Sequence, residues 1–435
     1  MSPLGRVLVD LSPLRRYPQF RLLWSGQVVS FVGSQLTAVA VPYQVYRLTH
    51  SSLQVGLVSL VQLAPLLAGS LFGGTLADAF ERRRLLIVTQ VVMAAASAGL
   101  ALNAGAGHPA LWPIYLLSAA SAGVSGVDSP TRSALIANLV PRSAYPSAYA
   151  LWQLLVQVGL VAGPAVAGVL IGSLGLAGVY WIDVGSFLAA LAAVIGLRRV
   201  DQPGERATAG LRAVVEGLRF LRGRPVLQAN FLVDMDAMVF GMPRALFPAI
   251  GLARFHGGAG TVGALYSAPG IGALLAVVLT GWVPGVRRQG RAVMAAVGAW
   301  GLAVVGFGLS PWLPLAMVSL AVAGAADVVS AVFRNTILQL SVPDHLRGRL
   351  SAVHTAVVTG GPRLGDLESG LVASLAGATV SVVSGGLACL AGLVGLGLGL
   401  PAYRRYRSDS AEPDGPGQVE GVEEPAVVGH HQQGA

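Results

Sequence analysis

The sequence predicts an all-α integral membrane protein, with twelve transmembrane helices in two six-helix repeats and both termini in the cytoplasm. Its composition, its long apolar segments and the positions of its arginines all indicate this fold class. Of its 435 residues, 54% are hydrophobic and 11% are charged, whereas a soluble domain carries roughly 25% charged residues. A chain this apolar has more hydrophobic surface than a soluble fold can bury, so the lipid bilayer is its natural solvent.

Twelve segments are long enough to cross a bilayer, since a spanning helix needs about 20 mostly apolar residues. The seventh of them is the least apolar, and Arg, Asp and Gly interrupt the tenth and eleventh. The segments are 20–48, 53–77, 84–104, 111–135, 147–172, 177–197, 226–250, 259–283, 291–310, 312–338, 349–376 and 379–402.

The arginines set the orientation. Threading the chain along these segments places 23 of its 29 arginines on one side and only Arg47 and Arg254 on the other. The other four lie in the segments or at their ends, and they are Arg132, Arg244, Arg334 and Arg363. Because positive loops stay in the cytoplasm, both termini are expected inside. This distribution also explains the net charge of +9 without nucleic acid as a partner.

The two halves repeat one another at a nearly constant offset. Arg47 and Val55-Gly56 return 207 residues later as Arg254 and Val262-Gly263, and Arg132 returns 202 residues later as Arg334. Two parallel six-helix bundles follow from this repeat. The predicted organisation is a tail (1–19), a first bundle (20–197), a cytoplasmic amphipathic linker (198–225), a second bundle (226–402) and a disordered tail (403–435).

The loop after the second segment carries the first family signal. "GGTLADAFERRR" (73–84) resembles the cytoplasmic 2–3 loop motif of the major facilitator superfamily, although Ala79 and Glu81 depart from it. The stretches 40–57, 217–227 and 334–353 further resemble the enterobactin exporter family, whose branch also includes multidrug and macrolide efflux pumps.

The resemblance implies a latch that closes the cytoplasmic gate. Its residues here are Gly74, Asp78, Arg82 and Arg83. Asp78 is expected to face a helix N-terminus of the second bundle, and the arginines to pair with acidic groups or only to set topology. The second-half copy has Gly285 in place of the aspartate, which predicts a one-sided latch.

A small-residue motif in the fifth segment resembles that of proton-coupled drug exporters. It consists of Gly159, Gly163, Pro164 and Gly168, with Ala167 in place of a glycine. Small residues allow close helix packing and proline bends a helix. The resemblance favours export over uptake, and ordinary helix packing is the alternative.

Ionisable residues inside the segments are the candidates for proton coupling or substrate binding, because buried charge in a membrane is costly and is usually functional. Asp128 and Arg132, and Asp327 and Arg334, share helix faces, and Arg363 and Asp366 are spaced to pair. Structural pairing is the alternative role. The candidates are Asp128, Asp234, Asp236, Asp327, Arg363, Asp366 and Glu368. Asp183 is interpreted as a helix cap, and Arg244 as a possible attractor of anions.

These features predict a monomeric, proton-driven exporter that works by alternating access in a bacterial inner membrane. Its partners are the bilayer, a small molecule and protons, with no cofactor. The substrate is a siderophore of the enterobactin type or a range of lipophilic drugs. An integral-membrane enzyme is a remote alternative because no HExxH, GxSxG or Walker sequence occurs. A channel would not need two repeated bundles.

Overall fold

The computed structural model describes residues 10–198, 211–279 and 285–407, and within these ranges the chain is helical with no β-strand. The helices, in chain order, are α1 (Ser12–Arg16), α2 (Pro18–Thr49), α3 (Ser52–Ala79), α4 (Arg82–Gly105), α5 (Leu111–Leu139), α6 (Tyr145–Ile195), α7 (Leu211–Leu221), α8 (Pro225–Phe240), α9 (Phe247–Ala249), α10 (Ala259–Val278), α11 (Gln289–Leu309), α12 (Leu313–Leu340), α13 (Asp344–Ala376), α14 (Ala378–Gly399) and α15 (Pro401–Arg405).

Each predicted apolar segment except the seventh lies largely within one of these helices or part of one. Eight of the described helices are long and apolar enough to cross a membrane. One of them, α6, has 51 residues and is interrupted at Gly175, where the backbone is not helical, so its two parts cover two predicted segments. The chain is therefore a membrane-spanning helical protein, and the full count of twelve crossings stays a prediction.

Backbone geometry supports the internal repeat that the sequence predicts. His50 and His256 both have φ of 50°, and they lie 206 residues apart at the ends of equivalent helices. Gly175, where α6 breaks, has φ of 73°, and Gly377, between α13 and α14, has φ of 90°. Gly175 and Gly377 are separated by 202 residues, which is the offset of Arg132 and Arg334. The backbone thus adopts similar conformations at corresponding turns of the two halves.

The predicted seventh span, 226–250, is wrong as a continuous helix. Helix α8 ends at Phe240, the backbone is irregular from Gly241 to Pro243, and a single 3-10 turn, Arg244–Leu246, follows. Pro243 has no amide hydrogen and cannot continue the hydrogen bonds of α8. We call residues 241–246 the unwound segment. Irregular backbone at membrane depth is tolerated where it lines a cavity or is buried in protein.

The two halves pack closely at one end of the bundle, which we call the turn end because it holds the α2–α3 turn and residues 255–258. A side chain at Gly56 of α3 would collide with the backbone of Asp366 in α13, and one at Gly168 of α6 would collide with Gly263 of α10. These glycines let two helix pairs cross in contact. The turn end is therefore closed between the halves.

The opposite end, the termini end, holds the start of α2, helix α7 and α15. Helix α7 confirms a helix in the predicted linker. It packs on α13 through Gly217 and the buried Leu221, and Glu216 pairs with Arg349 at 3.0 Å. Val215 and Leu218 stay exposed on its outer side. The predicted disordered tail, 403–435, begins too early, because Tyr403 to Arg405 belong to α15 and Tyr403 is buried; its residues after 407 lie outside the described part.

Large apolar side chains cover the outside of the bundle. Leu375, Val278 and Leu398 are 81%, 77% and 73% exposed. Water would penalise so many exposed apolar side chains, whereas lipid tails do not. This surface agrees with the composition of the chain.

Candidate functional site

A cavity of about 590 Å³ lies between the two halves. Helices α2 to α6 form one wall, and the unwound segment with α10, α12 and α13 forms much of the other. Its size is within the range of roughly 300–1,000 Å³ that small-molecule sites occupy. The cavity is the candidate substrate site because both halves contribute to it.

The first-half wall is rich in hydroxyl and amide groups. They come from four helices and include Ser34, Gln35, Ser59, Gln62, Ser121 and Gln157. Asp183 is the only charged residue on this wall within the described chain. Its carboxylate accepts hydrogen bonds from Thr37 and Ser97 at 2.7 Å and from Ser186 at 3.2 Å. Three donors satisfy a group that would otherwise be costly at this depth.

The second-half wall carries charge and aromatic rings. Arg244, Asp327, Arg363 and Asp366 line the cavity here. The aromatic residues of this wall are Phe247, Tyr266 and Trp300. The two walls thus differ in chemistry, with neutral polar groups facing fixed charges.

The unwound segment is held by side chains that satisfy its freed backbone groups. The Trp300 indole donates to the Gly241 carbonyl at 2.8 Å, and the Tyr266 hydroxyl donates to the Arg244 carbonyl at 3.0 Å. The Ala245 amide donates to the Asp366 carboxylate at 3.0 Å. These bonds replace the lost helical ones and fix the place where the Arg244 side chain enters the cavity.

Asp366 joins the two halves. Its carboxylate accepts a hydrogen bond from the Ser59 hydroxyl of α3 at 2.6 Å, in addition to the Ala245 amide. Arg363, three residues earlier, instead donates to its own helix at the Thr359 carbonyl, at 2.8 Å. The charges of Arg363 and Asp366 therefore interact electrostatically, as their spacing predicts. Each side chain forms its hydrogen bonds with other groups.

Asp128 lies outside the cavity. It forms an ion pair with Arg132, as the spacing predicts, and accepts hydrogen bonds from Thr89 at 2.7 Å and Gln90 at 3.2 Å. The Arg132 guanidinium also lies 5.1 Å from the centre of the Trp152 ring. This arrangement fits the structural alternative for Asp128.

Arg334 is shared between two carboxylates. It forms a close ion pair with Asp234 of α8, and its second nitrogen lies 3.7 Å from Asp327 of its own helix. Asp234 and Arg334 are buried, whereas the Asp327 side chain is 35% exposed and lines the cavity. The predicted proximity of Asp327 and Arg334 is therefore present, and Asp234 of α8 is an additional partner of Arg334.

This cluster continues to the termini end. Asn230 donates to the Arg334 carbonyl at 3.3 Å, and the Tyr403 hydroxyl donates to Asn230 at 3.0 Å. Burial raises the pKa of the Tyr403 phenol, which keeps it neutral and able to donate. The first helical turn after α14 is thus anchored to the buried arginine.

The remaining two predicted acids, Asp236 and Glu368, do not line the cavity. Asp236 lies against Gly392 of α14, in the neighbourhood of the buried Cys389. Glu368 is half-buried on α13. The structure brings neither to the other candidate residues.

The latch motif lies at the termini end, where its arginines donate to backbone carbonyls of neighbouring helices. Arg82 donates to the Ala134 carbonyl at 3.3 Å, and Arg83 donates to the Val194 carbonyl at 3.2 Å. Pairing of these two arginines with acidic groups stays a prediction beside these carbonyl contacts. Val194 is one of the last two residues of α6, and the carbonyl end of a helix carries partial negative charge that attracts a guanidinium group. Gly74 lies in the last turns of α3, and the side chain of Asp78 is outside the described part.

The small-residue motif serves two interfaces. Gly159 and Gly163 leave room for Phe31 and Gln35 of α2, in the same half. Gly168 faces α10 of the other half, and Pro164 lines the cavity. The predicted close packing is present.

Sequence reasoning undervalued two cavity residues. Asp183 was interpreted as a helix cap and Arg244 as a group at an outer end, yet both face the cavity. Both are ionisable residues of the predicted spans, to which the same rule applies as to the other candidates. Nothing in the sequence distinguishes Ser59 from the many other serines.

The described features define a helical membrane transporter of the major facilitator type with a central small-molecule cavity. The chain belongs to the transmembrane secretion effector family of that superfamily, whose model matches residues 9–421. An enterobactin exporter of Citrobacter koseri is 30% identical over 414 residues, which covers 94% of this chain and 98% of that protein. One from Shigella boydii is 30% identical over 405 residues, which covers 92% and 96%.

Two solved structures show the same fold at low sequence identity. A bacterial homologue of the human lysosomal transporter Spinster, inward-facing and unoccupied, has a TM-score of 0.67 and 17% identity, and the match covers 91% of this chain and 97% of that one. The nucleoside transporter NupG has a TM-score of 0.69 and 13% identity, with 89% and 99% covered.

Proposed function

We propose that the protein exports a catecholate siderophore of the enterobactin type from the cytoplasm, by proton-coupled alternating access. In this proposal twelve spans cross the bacterial inner membrane, the termini end is cytoplasmic and the protein acts as a monomer. The central cavity, lined by both halves, is the observation that carries the proposal. Curated relatives named for enterobactin export support the substrate class.

Alternating access requires two halves that can separate at either end. The packed turn end and the cavity behind it support an inward-facing state, loaded from the cytoplasm. Opening of the turn end would separate α3 from α13 and break the hydrogen bond between Ser59 and Asp366. The latch residues Gly74, Asp78, Arg82 and Arg83 would close the termini end in the outward-facing state.

Asp327 is the best candidate for proton coupling among the predicted acids. Its carboxylate is accessible from the cavity, and it lies beside a buried arginine that has a second acidic partner. Protonation of Asp327 would free Arg334 to pair with Asp234 alone. A change in charge at the cavity would then alter contacts at the termini end through Asn230 and Tyr403.

The test uses inverted membrane vesicles that contain the protein and a proton gradient reported by a pH-sensitive dye. A catecholate siderophore, a macrolide and a lipophilic cation are added in turn. We expect the siderophore to dissipate the gradient, and Asp327→Asn to abolish this effect. Asp128→Asn is the matched control, because Asp128 also pairs with an arginine but lies outside the cavity. Equal loss in properly folded samples of both variants would contradict the role of Asp327.

A second candidate function is efflux of lipophilic cations or macrolides. Three aromatic rings, those of Phe247, Tyr266 and Trp300, line the same wall as Asp327 and Asp366. Aromatic faces and carboxylates suit a lipophilic cation. Gradient loss with the cation and none with the siderophore would favour this alternative.

A further inference from the structure

We propose that Arg244 forms an anion-binding subsite within the cavity, which recognises a carboxylate or an ionised catechol oxygen of the transported molecule. The inference rests on the proposed function, because it names the ligand chemistry of the same site. It assigns substrate specificity to a residue of the unwound segment. This segment belongs to the seventh predicted span and lies outside the latch motif and the small-residue motif.

The Arg244 guanidinium is exposed to the cavity and has no fixed partner. Within residues 10–198, 211–279 and 285–407 it forms no hydrogen bond and no ion pair, although its backbone carbonyl is bonded. The other cavity arginine, Arg363, already donates to a carbonyl. A guanidinium presents five donors in a planar fork that matches carboxylate or vicinal oxygens. A guanidinium whose donors are free and face the cavity is therefore a site for an anionic oxygen.

The backbone around Arg244 is held rigidly, which a specificity residue requires. Tyr266 bonds its carbonyl, the next amide bonds Asp366, and Trp300 bonds the carbonyl of Gly241. All three bonding side chains belong to other helices. A ligand that binds Arg244 would thus not have to order this segment, and less of the binding free energy would be lost.

The acids near Arg244 do not occupy its guanidinium. Asp366 accepts from Ser59 and from the Ala245 amide, and Asp183 accepts from three hydroxyls. Asp327 lies beside Arg334. Asp327 and Asp366 interact with Arg244 electrostatically without forming ion pairs to it. The donors of the Arg244 guanidinium thus stay available to a ligand.

Asp327 adds a hydrogen-bond acceptor to the wall on which Arg244 supplies donors. Its side chain is 35% exposed at the same wall, so it can accept a hydroxyl hydrogen from a bound molecule. A ligand with an anionic oxygen near a free hydroxyl, as in a half-ionised catechol, would satisfy both residues. The hydroxyl groups of the opposite wall would bind its remaining polar atoms.

The test measures binding of small catechols to the purified full chain in nanodiscs. The probes are protocatechuate, which carries a carboxylate, its neutral amide, and dopamine, which is a cation. We expect the wild-type protein to bind protocatechuate more tightly than the amide and dopamine least. Arg244→Gln should weaken protocatechuate at least about tenfold, the loss expected for one charge-assisted hydrogen bond. Binding of the amide should change less than about threefold.

Two further variants keep the test decisive. Arg244→Lys keeps the positive charge and should keep the preference for protocatechuate over the amide, even if Arg244→Gln does not fold. Arg47→Gln, at an exposed arginine of the turn end outside the cavity, should bind as the wild type does. Tighter binding of dopamine than of protocatechuate by the wild type, no binding of protocatechuate, or equal weakening of acid and amide would overturn the subsite.

The same variants separate this inference from the proposed function. Arg244-dependent binding of protocatechuate without siderophore-driven gradient loss in vesicles would support the subsite and contradict siderophore export. Siderophore-driven gradient loss that Arg244→Gln leaves unchanged would support export and overturn the subsite.

Discussion

Removal of Asp234 tests whether Arg334 has two usable partners. Both residues of this ion pair are buried, with exposures of 2% for Asp234 and 4% for Arg334. Removing one member of such a pair costs about 3–5 kcal/mol when the other charge is left alone. Arg334, however, already lies 3.7 Å from Asp327, and a small rotation of the guanidinium would complete that pair. We therefore expect Asp234→Asn to cost about 2 kcal/mol of unfolding free energy.

The equivalent change in the first half should cost more. Arg132 has one acidic partner within ion-pair distance in the described chain, namely Asp128. Asp128→Asn is thus expected to cost about 3 kcal/mol or more, reduced only by the contact of Arg132 with Trp152. The comparison isolates the effect of a second carboxylate.

A double-mutant cycle gives the sharper measurement. Asp327→Asn alone should cost less than about 1 kcal/mol, because Asp234 still neutralises Arg334. Together with Asp234→Asn it leaves no acid, and the loss should exceed the sum of the single changes by about 1–2 kcal/mol. Unfolding of detergent-solubilised protein, followed by circular dichroism, measures these differences. Additivity within about 0.5 kcal/mol, or equal losses for Asp234→Asn and Asp128→Asn, would refute the shared-partner interpretation.

Two other predictions concern the ends of the bundle. Ser59→Ala removes the hydroxyl that bonds Asp366 across the halves, and should raise the population open at the turn end by roughly tenfold. The measurement is the rate of thiol labelling of a cysteine introduced at Val55, which should rise. The native Cys389 is buried and should not react. An unchanged labelling rate would contradict the role of Ser59. Arg83→Gln removes donors to the carbonyl end of α6 and should cost about 1 kcal/mol in the same unfolding assay. The control is Arg84→Gln, whose 69% exposed side chain pairs with Glu81 and should cost less than about 0.5 kcal/mol, and equal losses would contradict capping by Arg83.

The limits of sequence reasoning appear clearly at two aspartates. Asp128 and Asp327 each precede an arginine on the same helix face, at spacings of four and seven residues. The sequence therefore treats them alike. In the structure one is sealed among Thr89, Gln90 and Arg132, and the other faces the cavity. The rotation of each helix about its axis makes this difference, and packing against neighbouring helices sets that rotation.

The unwound segment shows the same limit for backbone structure. Gly241 and Pro243 weaken a helix, and yet Pro42, Pro65 and Pro164 lie inside helices that continue. A break is stable only where partners satisfy the released carbonyl and amide groups. Here Trp300, Tyr266 and Asp366 do so, and all three come from helices that follow later in the chain.

The sequence by itself determined the properties that depend on composition, length and order along the chain. These are a helical membrane protein, the positions of nearly all its long helices, the internal repeat and the resemblance to a transporter family, because apolar length and charge placement act locally against a bilayer. Only the tertiary structure decided which charges meet in the cavity. Asp183, Arg244, Asp327 and Asp366 come from four separate parts of the chain, and only helix packing brings such residues together.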